Sequence, residues 1–254
     1  MKIEYYGRSM CGARSGNEDA FTIDRTVWSH DTDDVSTGLA LTDFATGWHL
    51  FAVADGMGGH AAGEVAARLA LAWLGERCLD LGDPDAGELQ DVLQGIHRDL
   101  LKQGRLDRQL RGMGCTLTGI LLHQDGGFWF NVGDSRVYRL QSGGLCQLST
   151  DHSLRMLPGM QDAPQNQLYS CLGGGVREIT IDVQALDGGP APGQGFLLTS
   201  DGYHEFMDTE VMEKLLSASL DAVALDKELR AATRRGSHDN ITALALRILP
   251  GEET

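Results

Sequence analysis

The chain reads as blocks of contrasting hydrophobic period. HLFAVAD (49–55) and FLLTSD (196–201) are short unbroken apolar runs that end in an acid, the pattern of strands buried on both faces. CTLTGILLH, FWFNVG and DSRVYRL read as successive antiparallel strands, with Asp125-Gly126 as a hairpin turn. AFTID (20–24), EITIDVQAL (178–186) and NITALALRI (240–248) are further strands. Residues 1–30 read as short strands, 31–48 as a polar loop or irregular hairpin, and 150–175 as irregular and glycine-rich. The period changes over 62–79, where Val65, Ala66, Leu69, Ala70, Trp73 and Leu74 recur at helical spacing. GDPDAGE (82–88) interrupts this helix, and a second follows with Leu89, Val92, Leu93, Ile96 and Leu100 on one face. Residues 208–235 are mostly helical around Val211, Met212, Leu215 and Leu216.

The order is strands, two helices, strands, two helices, strand. It lacks the βαβ alternation of a parallel sheet and predicts an α+β fold of antiparallel sheets with flanking helices. No linker rich in Pro, Ser or charge divides the chain and no repeat is evident, so residues 1–254 are expected to form a single domain.

Composition narrows the classes. Hydrophobic residues at 42% and charged residues at 22% exclude a disordered chain. The 33 glycines follow no collagen period and point to many tight turns. The net charge of −15 argues against nucleic acid and anionic membrane as partners, since both need basic patches. Five scattered cysteines with no C-x-x-C fit a reducing compartment. The opening MKIEYYGRSMCG has no signal-like apolar run, and no stretch is apolar enough for a membrane helix. A cytoplasmic protein is expected, monomeric by default.

Acids recur at the edges of apolar runs. Glu18 and Asp19 precede AFTID, Asp55 ends LFAVA, Asp134 follows FWFNVG, Asp201 ends FLLTS, and Asp239 precedes NITALAL. One Asp-Gly pair is ordinarily a turn, and Asp125 and Asp187 are read that way. The others gain weight as a set, because strand ends are fixed points at which carboxylates can converge. Two carboxylates about 4 Å apart repel by roughly 4 kcal/mol at an effective dielectric near 20, so such a group needs cations. An all-oxygen set selects hard ions, Mg²⁺ or Mn²⁺, over zinc. Two divalent ions would nearly balance five such acids. Arg14, four residues before Glu18, is placed to grip a phosphate dianion, and paired ions activate a water for in-line displacement at phosphorus.

The motifs R-x-x-N-E-D (Arg14, Asn17, Glu18, Asp19), A-D-G-M-G-G-H (54–60), G-C-T (114–116), V-G-D-S-R (132–136), T-S-D-G (199–202) and D-N-I-T (239–242) together resemble the metal-dependent Ser/Thr protein phosphatases of type 2C, in their compact bacterial form. They occur in the family's order and span most of the chain. The resemblance implies a four-layer αββα sandwich, two antiparallel sheets between helix pairs. It implies Asp55 as the acid bridging two Mn²⁺ or Mg²⁺ ions, with the Gly56 carbonyl on one of them. Asp201 and Asp239 would complete the second ion's site, and Glu18 and Asp19 would hold metal-bound waters or contact the metal directly. Asp134 resembles the acid that, with Asp201, holds a third ion in bacterial members. Arg14 would bind the substrate phosphate, and Asn240 would steady the Asp239 end on the substrate side. The implied reaction is one-step hydrolysis of phosphoserine or phosphothreonine in a protein, without a phospho-enzyme, opposed by a Ser/Thr kinase in the same cell.

The sequence departs from the family in places. Met57 stands where some members carry a histidine acid, which leaves His60 as the candidate proton donor against a structural role at the helix start. Cys115 replaces a common Thr and is read as a small buried residue. The stretch after Asp151-His152-Ser153 is short where relatives carry a longer flap. Trp73 and Trp129 are read as core, His152 and His238 as bystanders, and Arg136 as a candidate ion-pair partner for Asp134. Rival readings are a non-catalytic member of the same fold and a small-molecule phosphoesterase. A dinucleotide-binding reading of Gly56–Ala61 fails, because a helix rather than a second strand follows.

Overall fold

The computed structural model describes residues 1–30, 33–44, 47–57, 61–164, 166–217 and 219–251. One six-stranded antiparallel sheet is built around β1 (Lys2–Met10), which pairs with β15 (Ile241–Leu249) on one side and β4 (Val35–Asp43) on the other. It continues through β14 (Gly195–Thr199) and β10 (Arg136–Gln141) to β11 (Gly144–Gln147). The second six-stranded sheet has β5 (His49–Ala54) between β2 (Ala20–Ile23) and β8 (Leu117–His123). It runs out to β3 (Thr26–Trp28) on one edge, and to β9 (Gly126–Val132) and β13 (Asp182–Ala185) on the other. A three-stranded ribbon joins β6 (Gly56–Met57), β7 (Gly114–Cys115) and β12 (Leu172–Gly173).

The buried strands fill three apolar layers by simple alternation. Phe51 and Val53 of β5 face the other sheet, where they meet Phe196, Leu198, Leu244 and Leu246. Leu50, Ala52 and Ala54 face outward onto α1 (Ala61–Cys78) and α2 (Ala86–Leu106). On the far side Leu197, Ala243 and Ala245 receive α3 (Asp201–His204), α4 (Thr209–Ser217) and α5 (Ala222–Arg234). The result is the helix–sheet–sheet–helix sandwich expected. It explains why these strands read as continuous apolar runs rather than alternating ones. Gly7 in β1 leaves room for the Phe21 ring, whose Cζ would lie 2.9 Å from an added Cβ. The break before α2 is a capping box, with the Glu88 amide donating to Asp85 Oδ1 at 2.9 Å and the Asp85 amide to Glu88 Oε2 at 3.0 Å.

Several expectations need correction. The segment read as a polar loop at 31–48 contains β4, which ladders onto β1 with a register shift at Gly7/Arg8. The strand expected over 178–186 is a strand only from Asp182 to Ala185. FWFNVG and DSRVYRL are not neighbours in one sheet: β9 stays in the second sheet while β10 joins the first. The chain crosses between sheets at Gly133, whose φ of 112° and tight approach to Thr116 demand glycine. That crossing carries Asp134 to the junction of the sheets. Asp201 does not end a strand; β14 stops at Thr199, Ser200 is the N-cap, and Asp201 opens α3. Trp129 is core, whereas Trp73 is half-buried beneath the Arg77 guanidinium.

Candidate metal centre

Antiparallel pairing brings the end of one strand beside the start of its neighbour. In the second sheet Ala20 pairs with Ala54, so Asp19 and Asp55 fall side by side. In the first sheet Thr199 pairs with Ala243, so Asp201 and Asp239 also share an edge. The stacked sheets present these edges to one cleft of about 750 Å³, lined by Arg14, Glu18, Asp55, Gly56, Asp134, Asp201, Asp239 and Asn240. Asp19 lies beneath the lining, 1% exposed. His60 lies outside the described residues.

Backbone and amide bonds fix each acid. The Asp55 amide donates to Thr116 Oγ1 at 3.0 Å, and the Thr116 amide donates to the Asp55 carbonyl at 2.9 Å. The Gly56 amide reaches the Glu18 carbonyl at 3.1 Å. A Cβ on Gly56 would stand 2.6 Å from that carbonyl and closer still to the Gly63 carbonyl of α1, so only glycine lets the helix start pack against the cleft. Asn240 is a clamp. Its Oδ1 accepts from the Glu18 amide at 2.9 Å, and its Nδ2 donates to the carbonyls of Gly16 at 2.7 Å and Cys11 at 3.0 Å. Its own amide donates to Asp239 Oδ1 at 2.8 Å. Asn17 likewise donates to Ser9 Oγ at 2.9 Å and accepts from the Asp19 amide at 3.2 Å.

Arg14 stands at the rim. Its Nη2 meets Asp239 Oδ2 at 2.9 Å and its Nε donates to the His238 carbonyl at 2.9 Å. Arg136 does not pair with Asp134. It forks onto Asp151, Nε to Oδ1 at 2.9 Å and Nη2 to Oδ2 at 2.7 Å. His152 is a brace, accepting from the Gly133 amide at 3.2 Å and meeting Asp182 at 3.1 Å. Sequence reasoning gave no role to Thr116, Ser135 or Ser200. All three lie inside quoted motifs, Ser135 and Ser200 next to an acid, and Thr116 Oγ1 and Ser135 Oγ lie 2.8 Å apart behind Asp55.

The electrostatics are those of crowded carboxyls. Burial pushes Asp55 well above the carboxylate range, and the charges of Asp19, Asp201, Asp134 and Asp239 add to it. Burial first, then neighbouring acids, raises Asp19 to about 7, Asp134 to about 7 and Asp201 to about 6. Among the described residues, no three His, Cys, Asp or Glu groups stand close enough to grip one ion together. Two of the carboxyls rest instead on hydrogen bonds, Asp19 on Ser200 and Asp239 on Arg14. Two buried oxygens, Asp19 Oδ1 and Asp201 Oδ1, have no partner among the described residues. Orphaned carboxylate oxygens in a cleft whose described lining carries no imidazole fit hard divalent cations.

Similarity to known proteins agrees with this geometry. The sequence model of the family "Protein phosphatase 2C" matches residues 32–234. The serine/threonine phosphatase stp of Listeria monocytogenes serotype 4b (strain F2365) is 33% identical over 208 residues, covering 76% of this chain and 81% of that protein. The crystal structure of the Mycobacterium tuberculosis serine/threonine phosphatase PstP/Ppp superposes with a TM-score of 0.72 at 27% identity, covering 98% of this chain and 100% of that one. The PstP catalytic domain in complex with two manganese ions aligns with the same TM-score, 0.72, identity, 27%, and coverage, 98% and 100%. The strand-end acids, the sandwich beneath them and these likenesses lead to one assignment: the chain belongs to the protein phosphatase 2C family.

Proposed function

We propose that the protein hydrolyses phosphoserine and phosphothreonine in protein substrates, using two Mn²⁺ or Mg²⁺ ions in the acidic cleft, with residues 1–254 as one catalytic unit. The carrying observation is the meeting of Asp19 and Asp55 from one sheet with Asp201 and Asp239 from the other around orphaned carboxylate oxygens. The PstP catalytic domain with its two manganese ions supports the reading, as do the relatives' phosphatase names.

Asp55 is proposed to hold both ions and the Gly56 carbonyl one of them, Asp201 and Asp239 to complete the second site, Glu18 and Asp19 to act through waters, and Asp134 with Asp201 to take a third. When bound, such ions supply positive charge to an in-line displacement at phosphorus and make water a nucleophile near neutral pH. Arg14 is proposed to swing from Asp239 and the His238 carbonyl to place its fork on a phosphate dianion, its own side chain being 58% exposed. Asn240, its amide spent on backbone groups, acts by holding Glu18 and Asp239 in register. His60 is the proposed donor to the leaving oxygen. The partners are a phosphoprotein and an opposing Ser/Thr kinase, and the expected setting is the cytoplasm. Among the described residues no helix is long and apolar enough to cross a membrane.

The test is p-nitrophenyl phosphate hydrolysis with Mn²⁺ or with excess EDTA, on the protein and on Asp55→Asn. Several kcal/mol of lost charge stabilisation corresponds to about 10²-fold or more in rate. Full activity in EDTA, or in Asp55→Asn, overturns the assignment.

A further inference from the structure

A second recess of about 480 Å³ shares no lining residue with the acidic cleft. It lies between the last turns of α2, the segment that follows, and the loop after β12. Arg105, Arg108, Arg111 and Arg177 converge on it, with the half-buried Leu101 and Val176 among its apolar lining. This is a concentration of cations on a chain of net charge −15.

These arginines differ from others in the protein. Arg8 is held by Asp34 and Asp226, Arg25 by Asp80, Arg77 by Asp99, Arg136 by Asp151 and Arg235 by Asp208. Among the described residues, Arg105, Arg108, Arg111 and Arg177 make no ion pair, and all four are exposed. Arg105 in the last turn of α2 complements the helix dipole. That accounts for one of the four, since Arg111 and Arg177 lie on no helix.

The frame around them is tied down. The Gly173 amide donates to the buried His97 Nδ1 of α2 at 3.1 Å, and the Gly174 amide donates to the Met113 carbonyl at 2.8 Å. The recess is also linked to the cleft. Met113 lines the first and Thr116 the second, about 10 Å apart along extended chain. Between them β7 pairs with Gly56 and Met57.

We propose that this recess binds an acidic segment of a protein partner, carboxylates or a phosphoryl group set beside aliphatic side chains. Guanidinium forks match both anions, and the leucine and valine of the lining suit aliphatic neighbours. A nucleic acid is the poorer occupant: among the described residues no aromatic ring lines the recess to stack a base, and the overall charge repels a polyanion.

Fluorescence anisotropy of labelled peptides against the full chain tests this directly, without relying on phosphatase activity. The peptides are a Glu/Leu-rich sequence, its phosphoserine version and a Gln-substituted control, run at low and at physiological ionic strength. The acidic peptides bind saturably and more weakly with salt, while the control does not bind. Two independent double variants, Arg108→Ser/Arg111→Ser and Arg105→Ser/Arg177→Ser, weaken binding about tenfold or more, as expected for lost charge-assisted bonds. Far-UV circular dichroism and p-nitrophenyl phosphate hydrolysis stay unchanged in both. Tighter binding of the Glu or the phosphoserine peptide identifies the anion recognised. Undiminished affinity in both double variants, equal binding of the Gln control, or a single-stranded oligonucleotide outcompeting the peptides overturns the proposal.

Discussion

Ser200 Oγ donates to Asp19 Oδ2 at 2.7 Å and thereby ties the two sheets together at the floor of the cleft. Asp19 precedes a strand of one sheet and Ser200 follows a strand of the other. The same hydroxyl accepts from the Thr242 amide at 3.0 Å, so one buried oxygen satisfies a carboxyl and a backbone donor. Ser200→Ala strands both. Leaving buried polar groups unpaired costs about 1–3 kcal/mol. Urea denaturation in EDTA is expected to show that loss with an unchanged m-value, and Asp19 is expected to titrate higher still, because the Ser200 bond lowers its pKa.

Asp19 and Asp134 near 7 and Asp201 near 6, all raised chiefly by burial, bind their protons more tightly folded than unfolded. Their contribution to stability is complete below the ordinary carboxylate range and is lost as pH rises towards 7. Metal-free protein is therefore expected to lose thermal stability between pH 4 and about pH 7. Calorimetry in EDTA measures this. Added Mn²⁺ competes with the protons, so its stabilisation grows with pH over the same window. A melting temperature that rises through the window in EDTA contradicts the account.

Gly56→Ala forces a methyl group onto the carbonyls of Glu18 and Gly63. Both obstacles are backbone, so neither turns aside. Overpacking of this kind costs about 1–3 kcal/mol. The displaced start of α1 should also lower Mn²⁺-dependent turnover. Melting temperature and a manganese titration of activity check the two effects separately.

Arg14→Ala removes an ion pair whose side chains are 58% and 41% exposed, so stability should change by less than about 1 kcal/mol. Loss of a phosphate-binding fork should raise KM for phosphate esters about tenfold or more, with a smaller effect on kcat. An unchanged KM removes Arg14 from the substrate site.

The parts of the fold that sequence reasoning reads well are those where burial leaves one option. β5, β14 and β15 sit between two apolar layers, and their unbroken hydrophobic runs say so. β4 is an edge strand with Leu39 and Leu41 largely exposed and Ser, Thr and Gly interspersed. Its ladder to β1 is a tertiary fact with no local signature. The acids of the cleft were legible because strand ends and motif order coincide. Their partners were not: whether Arg136 meets Asp134 or Asp151 depends on how the Gly133 crossing turns the chain. Ser200 hid for the same reason, since its role appears only when two sheets stack.

Each sheet carries one pair of the cleft's acids, and the sheets are spaced by Phe21, Phe51, Phe196 and their neighbours. The interior packing is thus the gauge block of the cleft. Whittling a ring in that middle slab alters how far the two carboxyl pairs stand apart, though it touches none of them. Affinity for cations becomes a property of the whole molecule's thickness, and harmful variants should turn up deep inside the sandwich as readily as at its rim.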